Sequence, residues 1–516
     1  MQQAAIKILA LALCGLFTSA ALIGRSQAPK NRSSFAPVIP KTWDEKALAR
    51  LAVPLAEAGA SPVPVSADYY YRMPVRPVYK SYPVYAPGKE PPGYFESLKQ
   101  HEPEVVFDPG KLKTGADWIR AGELVFDAPI AYDAGQAGIV RVSDVRNPEW
   151  YEKTGMPTAR DGVLPFTRYV IRKKGQVELG NFSCGMCHTR VMPDGSLVKG
   201  AQGNFPFDRV IAFLQRTSPM PEQKRQELQR SFIRLLFAAP WLSPDPQARA
   251  EQMPLQEIIS IYDAIPPGVL ARNGTSPFSP VQVPDLIGVW ERRYLDHSGL
   301  VVHRGIDDLM RYAALNQDGD LLARYGEFRP IEVVSGKLPD PSTRSRYSDE
   351  QLYSLALYIY SLTPPSNPNK RTPLTARGET IFRREGCATC HTPPLYTNNK
   401  LTPAEGFKVP DDHQTRFDIL PLSVGTDPTL TLTTRRGTGY YKVPSLKGVW
   451  YRGPFEHNGS VATIEDWFDP RRLRDDYVPT GWKGAGVNTR PVKGHEFGLE
   501  LPAEERKALI AFLNTL

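Results

Sequence analysis

The chain has 516 residues, 41% hydrophobic and 23% charged, with 63 Lys and Arg against 55 Asp and Glu for a net charge of +8. That length exceeds one small module and allows about two to four domains with ample core, and the composition excludes a disordered polyelectrolyte. The basic excess is either a solvated surface or a footprint for an acidic partner or an anionic surface, and no basic run alternating with aromatics argues for nucleic acid.

At the N-terminus Lys7, an apolar run from Ile8 to Ile23 and Arg25 mark residues 1–25 as a signal peptide or a signal anchor that would tether the chain to a membrane. The run is shorter than the roughly 20 residues of a membrane span, and the small residues from Thr18 to Ala21 offer a cleavage region. Cys14 follows Leu13 rather than a small residue and makes a poor lipid-attachment site. Residues 26–110 are rich in proline and tyrosine, as in Asp68-Tyr-Tyr-Tyr-Arg-Met-Pro, and predict an extended, polyproline-like arm lying on the body. Helices are predicted over 116–126 and 375–384, with the related wording Arg120-Ala-Gly-Glu-Leu-Val-Phe and Ala376-Arg-Gly-Glu-Thr-Ile-Phe.

Each of these helices precedes a Cys-x-x-Cys-His pentad, Cys184-Gly-Met-Cys187-His188 and Cys387-Ala-Thr-Cys390-His391. That spacing is the attachment signature of a c-type haem. The thiols bond to the porphyrin, and the histidine is held where it becomes the proximal iron ligand. The competing use of paired Cys-x-x-Cys motifs is a shared zinc site, which brings the pairs together over about 15 to 20 residues; here the leading cysteines, 184 and 387, lie 203 apart. Two covalently bound haems are expected, with His188 and His391 as metal ligands. Attachment to this motif takes place outside the bacterial cytoplasm, so a periplasmic location is expected from both the leader and the pentads. Cys14 alone is left over, so the mature chain has no thiols for disulfides.

A repeat runs downstream of the pentads. Val283-Pro-Asp-Leu-Ile-Gly-Val-Trp290-Glu-Arg matches Val443-Pro-Ser-Leu-Lys-Gly-Val-Trp450-Tyr-Arg, and His297-Ser-Gly matches His457-Asn-Gly, every pair separated by 160 positions. Each unit closes on a predicted helix, 348–362 and 502–516, and Pro364, Pro365 and Pro368 mark the boundary. Strand signals outside the arm are few and short. The expected class is mainly α: two duplicated class-I-type cytochrome c domains, 111–363 and 374–516, with long irregular loops and the extended N-terminal arm.

With these motifs in place the chain resembles the bacterial di-haem cytochrome c peroxidase superfamily. Val443-Pro-Ser-Leu-Lys-Gly-Val and Gly453-Pro-Phe-Glu-His457-Asn-Gly-Ser-Val carry the likeness in the C-terminal half, and the N-terminal half matches more loosely. The enlarged gap between the pentads and the long arm are more similar to the rubber-oxygenase branch. The resemblance implies one haem that does chemistry, usually the N-terminal one, and one that relays electrons from a small donor of cytochrome or cupredoxin type. It also implies a calcium ion between the domains, held by backbone carbonyls and an asparagine, although no acidic calcium loop is visible.

An electron-transfer haem is served by six-coordinate iron, whereas one that activates hydrogen peroxide or dioxygen needs an open position. The family's distal ligand for the C-terminal haem stands shortly before the last helix and is usually methionine. This chain has no methionine after Met310 and places His495 there, so His495 is the expected distal metal ligand, with His457 as runner-up and His413 as a further candidate. His297 and His457 are expected to hold their loops by hydrogen bonding beside the porphyrin. In the first repeat Pro341 stands opposite His495, so the N-terminal iron is expected to be open, unless Met192 reaches it. Peroxide cleavage needs a proton-transfer group; Asp307 or Asp308 is the expected acid and His303 the expected base. Trp290 and Trp450 read first as core residues, with electron hopping as the rival. The expected activity is peroxide reduction at the N-terminal haem. Its rivals are a rubber-oxygenase-like dioxygenase acting on an apolar substrate and a non-enzymatic electron carrier.

Overall fold

The computed structural model describes residues 35–133, 138–245, 247–272 and 274–516, so the leader and Cys14 lie outside the described residues. No helix among the described residues is long and apolar enough to cross a membrane. The arm is folded onto the body. It carries single-turn helices at Glu45–Leu48, Ala67–Arg72 and Tyr94–Leu98 and a strand, β1, at Ser81–Tyr85. Asp44 and Ser66 cap two of these turns through their side-chain oxygens. Its aromatics are what draw it inward: Trp43 and Tyr70 are buried and stack at 4.2 Å between ring centroids.

Helix α1, Gly115–Asp127, opens on a capping box between Thr114 and Asp117 and buries Trp118, Ala121, Gly122, Val125 and Phe126 along one face. Strands β2, Ala131–Tyr132, β3, Val163–Lys173, and β4, Gln176–Asn181, join the arm in an antiparallel sheet of order β1-β3-β4-β2. The expectation of few, short strands outside the arm fails at β3, which runs for 11 residues. Phe166-Thr-Arg-Tyr-Val-Ile is dense in β-formers, but Pro165, Arg168 and Arg172 interrupt the period-two pattern that would announce it. The rest of the chain is mainly helical: α2, Cys184–Cys187; α3, Phe207–Thr217; α4, Ile306–Ala314; α5, Asp349–Ser361; α6, Pro373–Arg384; α7, Cys387–Cys390; and α8, Ala503–Leu513, among others.

Two helix pairs frame the pentads, and both close on a glycine. A Cβ added to Gly122 of α1 would lie 1.9 Å from Ser354 O and 2.7 Å from Tyr358 Cβ on α5. A Cβ on Gly378 of α6 would lie 2.0 Å from Ala508 O and 2.7 Å from Phe512 Cβ on α8. The wording shared by the two leading helices is therefore a packing requirement: a backbone carbonyl of the closing helix sits where any other residue would carry its side chain. The partners Ser354 and Ala508, like Tyr358 and Phe512, are 154 positions apart, so the same contact is built twice.

Gly378→Ala is expected to destabilise the α6–α8 pair by about 3 kcal/mol, the upper end for overpacking, because the clash is with backbone rather than with a side chain that can turn away. Denaturant unfolding measures the loss. Gly115→Ala, where an added Cβ meets nothing within 4 Å, serves as the neutral control.

Candidate haem sites

The pentads form single turns of helix whose first cysteine starts the turn and whose histidine ends it. The His188 amide donates to Cys184 O at 2.9 Å and the His391 amide to Cys387 O at 2.8 Å, and Ser183 caps the first turn. Each imidazole is then fixed by a proline carbonyl: His188 Nδ1 donates to Pro284 O at 3.0 Å, and His391 Nδ1 to Pro444 O at 3.1 Å. With the proton placed on Nδ1, Nε2 presents a lone pair to a metal. Burial, followed by like charge from Arg272 at the first site and from His495 at the second, depresses both histidines to about 4, so both imidazoles are neutral.

The repeated Gly-Val-Trp-x-Arg wording builds these carbonyls into place. Gly288 and Gly448 are left-handed, with φ of 71° and 76°, and turn the chain into short helical turns at Val289–Glu291 and Val449–Tyr451. Arg292 then donates back to Asp285 O and, at 2.8 Å, to Ile287 O; Arg452 donates to Ser445 O at 2.8 Å. The arginine clamps the loop that offers its proline carbonyl to the pentad.

Around His391 lies a cavity of about 260 Å³ lined by both cysteines of its pentad and by His495, Trp467 and His457. His495 faces His391 across it, with ring centroids 6.1 Å apart. Two metal–nitrogen bonds of about 2 Å each, plus the two ring radii, fill that gap. The turn that presents His495 is held by Arg472, which donates to Val492 O and Gly494 O at 2.7 Å and to His495 O at 2.6 Å. Burial also depresses His495, so its imidazole is neutral. Arg292, Arg452 and Lys442 line the same cavity. Burial and the neighbouring charge of Arg292 push Lys442 down to about 7, and Arg452 Nε is buried without a partner. Two thiols, two facing neutral imidazoles and a surplus of buried cations fit a covalently attached haem, whose propionates supply the missing anions.

His457 donates from Nδ1 to Glu456 Oε2 at 2.9 Å and keeps a buried, unpartnered Nε2. His297 is joined through Nε2 to Gln282 O at 2.8 Å. It lines the second cavity, as do Pro284, Asp285 and Arg292 from the first repeat. His413 packs elsewhere, against Tyr440 O–H at 2.9 Å.

The first pentad has Arg272 as its nearest influential charge, acting on Cys184, Cys187 and His188, while Gln317 Nε2 lies 3.9 Å from Cys184 Sγ. None of the other histidines faces His188: His297, His457 and His495 line the second cavity, His303 joins Tyr360, His413 joins Tyr440 and His101 lies against Tyr82. Met192 packs with Val198, Ile287 and Tyr451, and Pro341 is buried in a short turn.

The expected distal trio stands in other company. Asp308 is bound by Arg304, just before α4, at 2.8 Å and by Arg311, in its last turn, at 3.2 Å, and Asp307 by Arg311 at 2.5 Å. His303 has both ring nitrogens engaged, by Arg292 O and by Tyr360 O–H. The aspartates that open the helix are taken up by arginines one turn to either side, Arg304 before Asp308 and Arg311 after both, pairings that the sequence contains at three- and four-residue spacing. The core reading of Trp290 is corrected as well: it is 60% exposed. A buried acid that sequence reasoning missed is Asp208 on α3. It is 1% exposed, takes one hydrogen bond from Ala271 N at 3.0 Å, leaves Oδ1 unpartnered and acts electrostatically on Cys187. Burial raises its carboxyl well above the usual carboxylate range. Among the described residues no group of three or more His, Cys, Asp or Glu side chains forms a metal cage.

No protein-family model matches the chain. Among curated proteins it is similar to the methylamine utilization protein MauG of Methylorubrum extorquens, 29% identical over 142 residues, 27% of this chain and 33% of that protein. It is also similar to the cytochrome-c peroxidase IdrP1 of Denitromonas iodatirespirans, 26% identical over 171 residues, 27% of this chain and 39% of that one. Over that part of its length the chain resembles proteins of the di-haem cytochrome c peroxidase superfamily. The match spans between a third and two fifths of these superfamily relatives. Two solved structures superpose weakly. A MauG-like protein associated with microbial copper homeostasis gives a TM-score of 0.29 at 17% identity, covering 58% of this chain and 90% of that one. Hydrazine synthase of Kuenenia stuttgartiensis gives 0.26 at 16% identity, covering 49% and 79%.

With His495 facing His391, His495→Gly is expected to convert the low-spin electron-resonance signal of a haem held there to high-spin, leaving the other haem's signal in place. If the low-spin signal survives the change, His495 is not the ligand.

Proposed function

We propose that the protein is an exported, periplasmic di-haem c-type oxidoreductase of two duplicated class-I-type cytochrome c domains, 111–363 and 374–516. In this reading the haem at His188 reduces hydrogen peroxide, and the haem between His391 and His495 relays electrons to it from a small donor of cytochrome or cupredoxin type. The supporting observation is the asymmetry of the two sites. His391 has an imidazole opposite it at 6.1 Å between centroids, and every histidine of the described chain is engaged away from His188.

A bound haem supplies an iron that takes electrons singly and, where a position is open, binds an oxidant. The chain's own residues do the rest. The carbonyls of Pro284 and Pro444 hold the proximal imidazoles in one tautomer. Arg472 fixes the His495 turn, which keeps the second position closed. Asp208, whose proton affinity burial raises and which acts electrostatically on Cys187 of the first pentad, is the acid this reading assigns to proton delivery in place of Asp307 and Asp308.

The test is an anaerobic titration of the haem-loaded protein with peroxide, followed optically. Oxidation is expected to begin at the first haem and pass to the second, and His188→Gly is expected to abolish both. Asp208→Asn is expected to slow the peroxide step by roughly two orders of magnitude, while Asp307→Asn leaves it unchanged. Stable binding of dioxygen by the reduced protein, with no reaction toward peroxide, would transfer the assignment to the oxygenase reading.

A further inference from the structure

His303 and Tyr360 form a pair that the haem chemistry above leaves unused. The Tyr360 hydroxyl lies 2.7 Å from His303 Nε2, and His303 Nδ1 lies 2.7 Å from Arg292 O. A carbonyl only accepts, so the ring proton is on Nδ1, and Nε2 is left as a lone pair that accepts the phenol O–H. Burial depresses the basicity of His303 and raises the proton affinity of Tyr360, so at neutral pH the resting pair is a neutral imidazole facing a neutral phenol. A tyrosine in that state gives up an electron readily only if its proton leaves at the same time, and here the acceptor is already in place.

The pair opens onto a surface cavity of about 370 Å³, lined also by Trp290, Arg304 and Gly305. That is large enough for one small aromatic molecule. On its inner side the pair connects to the second haem site: the carbonyl that fixes His303 belongs to Arg292, whose side chain lines the cavity around His391. A continuous route of hydrogen and covalent bonds thus runs from a solvent-accessible phenol to the wall of the second site.

We propose that Tyr360 and His303 form a redox-active couple at which a small phenol or hydroquinone gives up electrons to the second haem, an assignment that rests on the haem reading above. In the first step Tyr360 would yield one electron to the oxidising equivalent that peroxide leaves on the haems, while its phenol proton passes to His303 Nε2, giving a neutral tyrosyl radical and an imidazolium still bound to Arg292 O through Nδ1. In the second, the donor's O–H bond breaks and its hydrogen atom returns to Tyr360 oxygen, leaving the donor radical. His303 then releases its proton to water through the cavity. The sum is one electron to the haem, one proton to solvent and one donor molecule oxidised by one electron.

The test uses the full haem-loaded chain. A ruthenium photo-oxidant, which needs no peroxide, is expected to yield a tyrosyl electron-resonance signal that disappears in Tyr360→Phe. In His303→Gln the signal is expected to form about a hundredfold more slowly and without the solvent isotope effect of the parent. Hydroquinone is expected to shorten the radical's lifetime in the parent. A signal unchanged in Tyr360→Phe, or one insensitive to hydroquinone, overturns the proposal. Repeating the measurement with peroxide separates the two readings. Haem oxidation without a tyrosyl signal overturns the couple, whereas a photochemical signal on Tyr360 with haems inert to peroxide upholds the couple and removes the peroxidase assignment.

Discussion

A hydrogen bond from an imidazole Nδ1 to a proline carbonyl, made at His188 and again at His391, is the constraint on which the rest of this molecule depends. It sets the tautomer, aims the free nitrogen and requires a loop stiff enough to keep a carbonyl still. That requirement explains the left-handed glycine, the short helical turn and the arginine that reaches back to clamp the loop. The helix pairs behind the pentads serve the same end. Gly122 and Gly378 let a closing helix approach until its carbonyls touch, which gives each pentad an unyielding floor.

Electrostatics sorts the two sites. Both proximal histidines are neutral because burial makes their charged forms costly. At the second site two such imidazoles face each other among arginines and a lysine with too few carboxylates to match them, an environment that waits for an anionic, iron-bearing ligand. At the first, Arg272 acts on the pentad from one side while Asp127 acts on Cys184 and the buried carboxyl of Asp208 on Cys187. The first site has no second imidazole facing its histidine, whereas the second has His495 opposite His391.

The pentads, the 160-residue repeat, the four framing helices and the placement of His495 were legible in the sequence because each has a local signature: a spacing, a repeated phrase or an amphipathic period. What escaped depends on the partner. Asp307 and Asp308 look like free acids until Arg304 and Arg311 are seen to hold them, and His303 looks like a free base until both its nitrogens are counted. Strand β3 was hidden by arginines that spoil its alternation. Asp208 carried only a weak signal, an acid inside the apolar stretch Phe205-Pro-Phe-Asp-Arg-Val-Ile. His297 illustrates a further limit: a repeat shows which residues correspond but not which site a loop faces.

The loop from Pro284 to His297 has its carbonyl on one pentad and its side chains in the other cavity, and this makes the two halves inseparable. A gene fragment beginning after Pro373 would still encode a pentad, its facing histidine and a closed helix pair. The cavity around His391 would nevertheless lack a wall, losing Arg292, Asp285 and His297 and opening to water. Exchange between relatives would have to carry the loop and both pentads together.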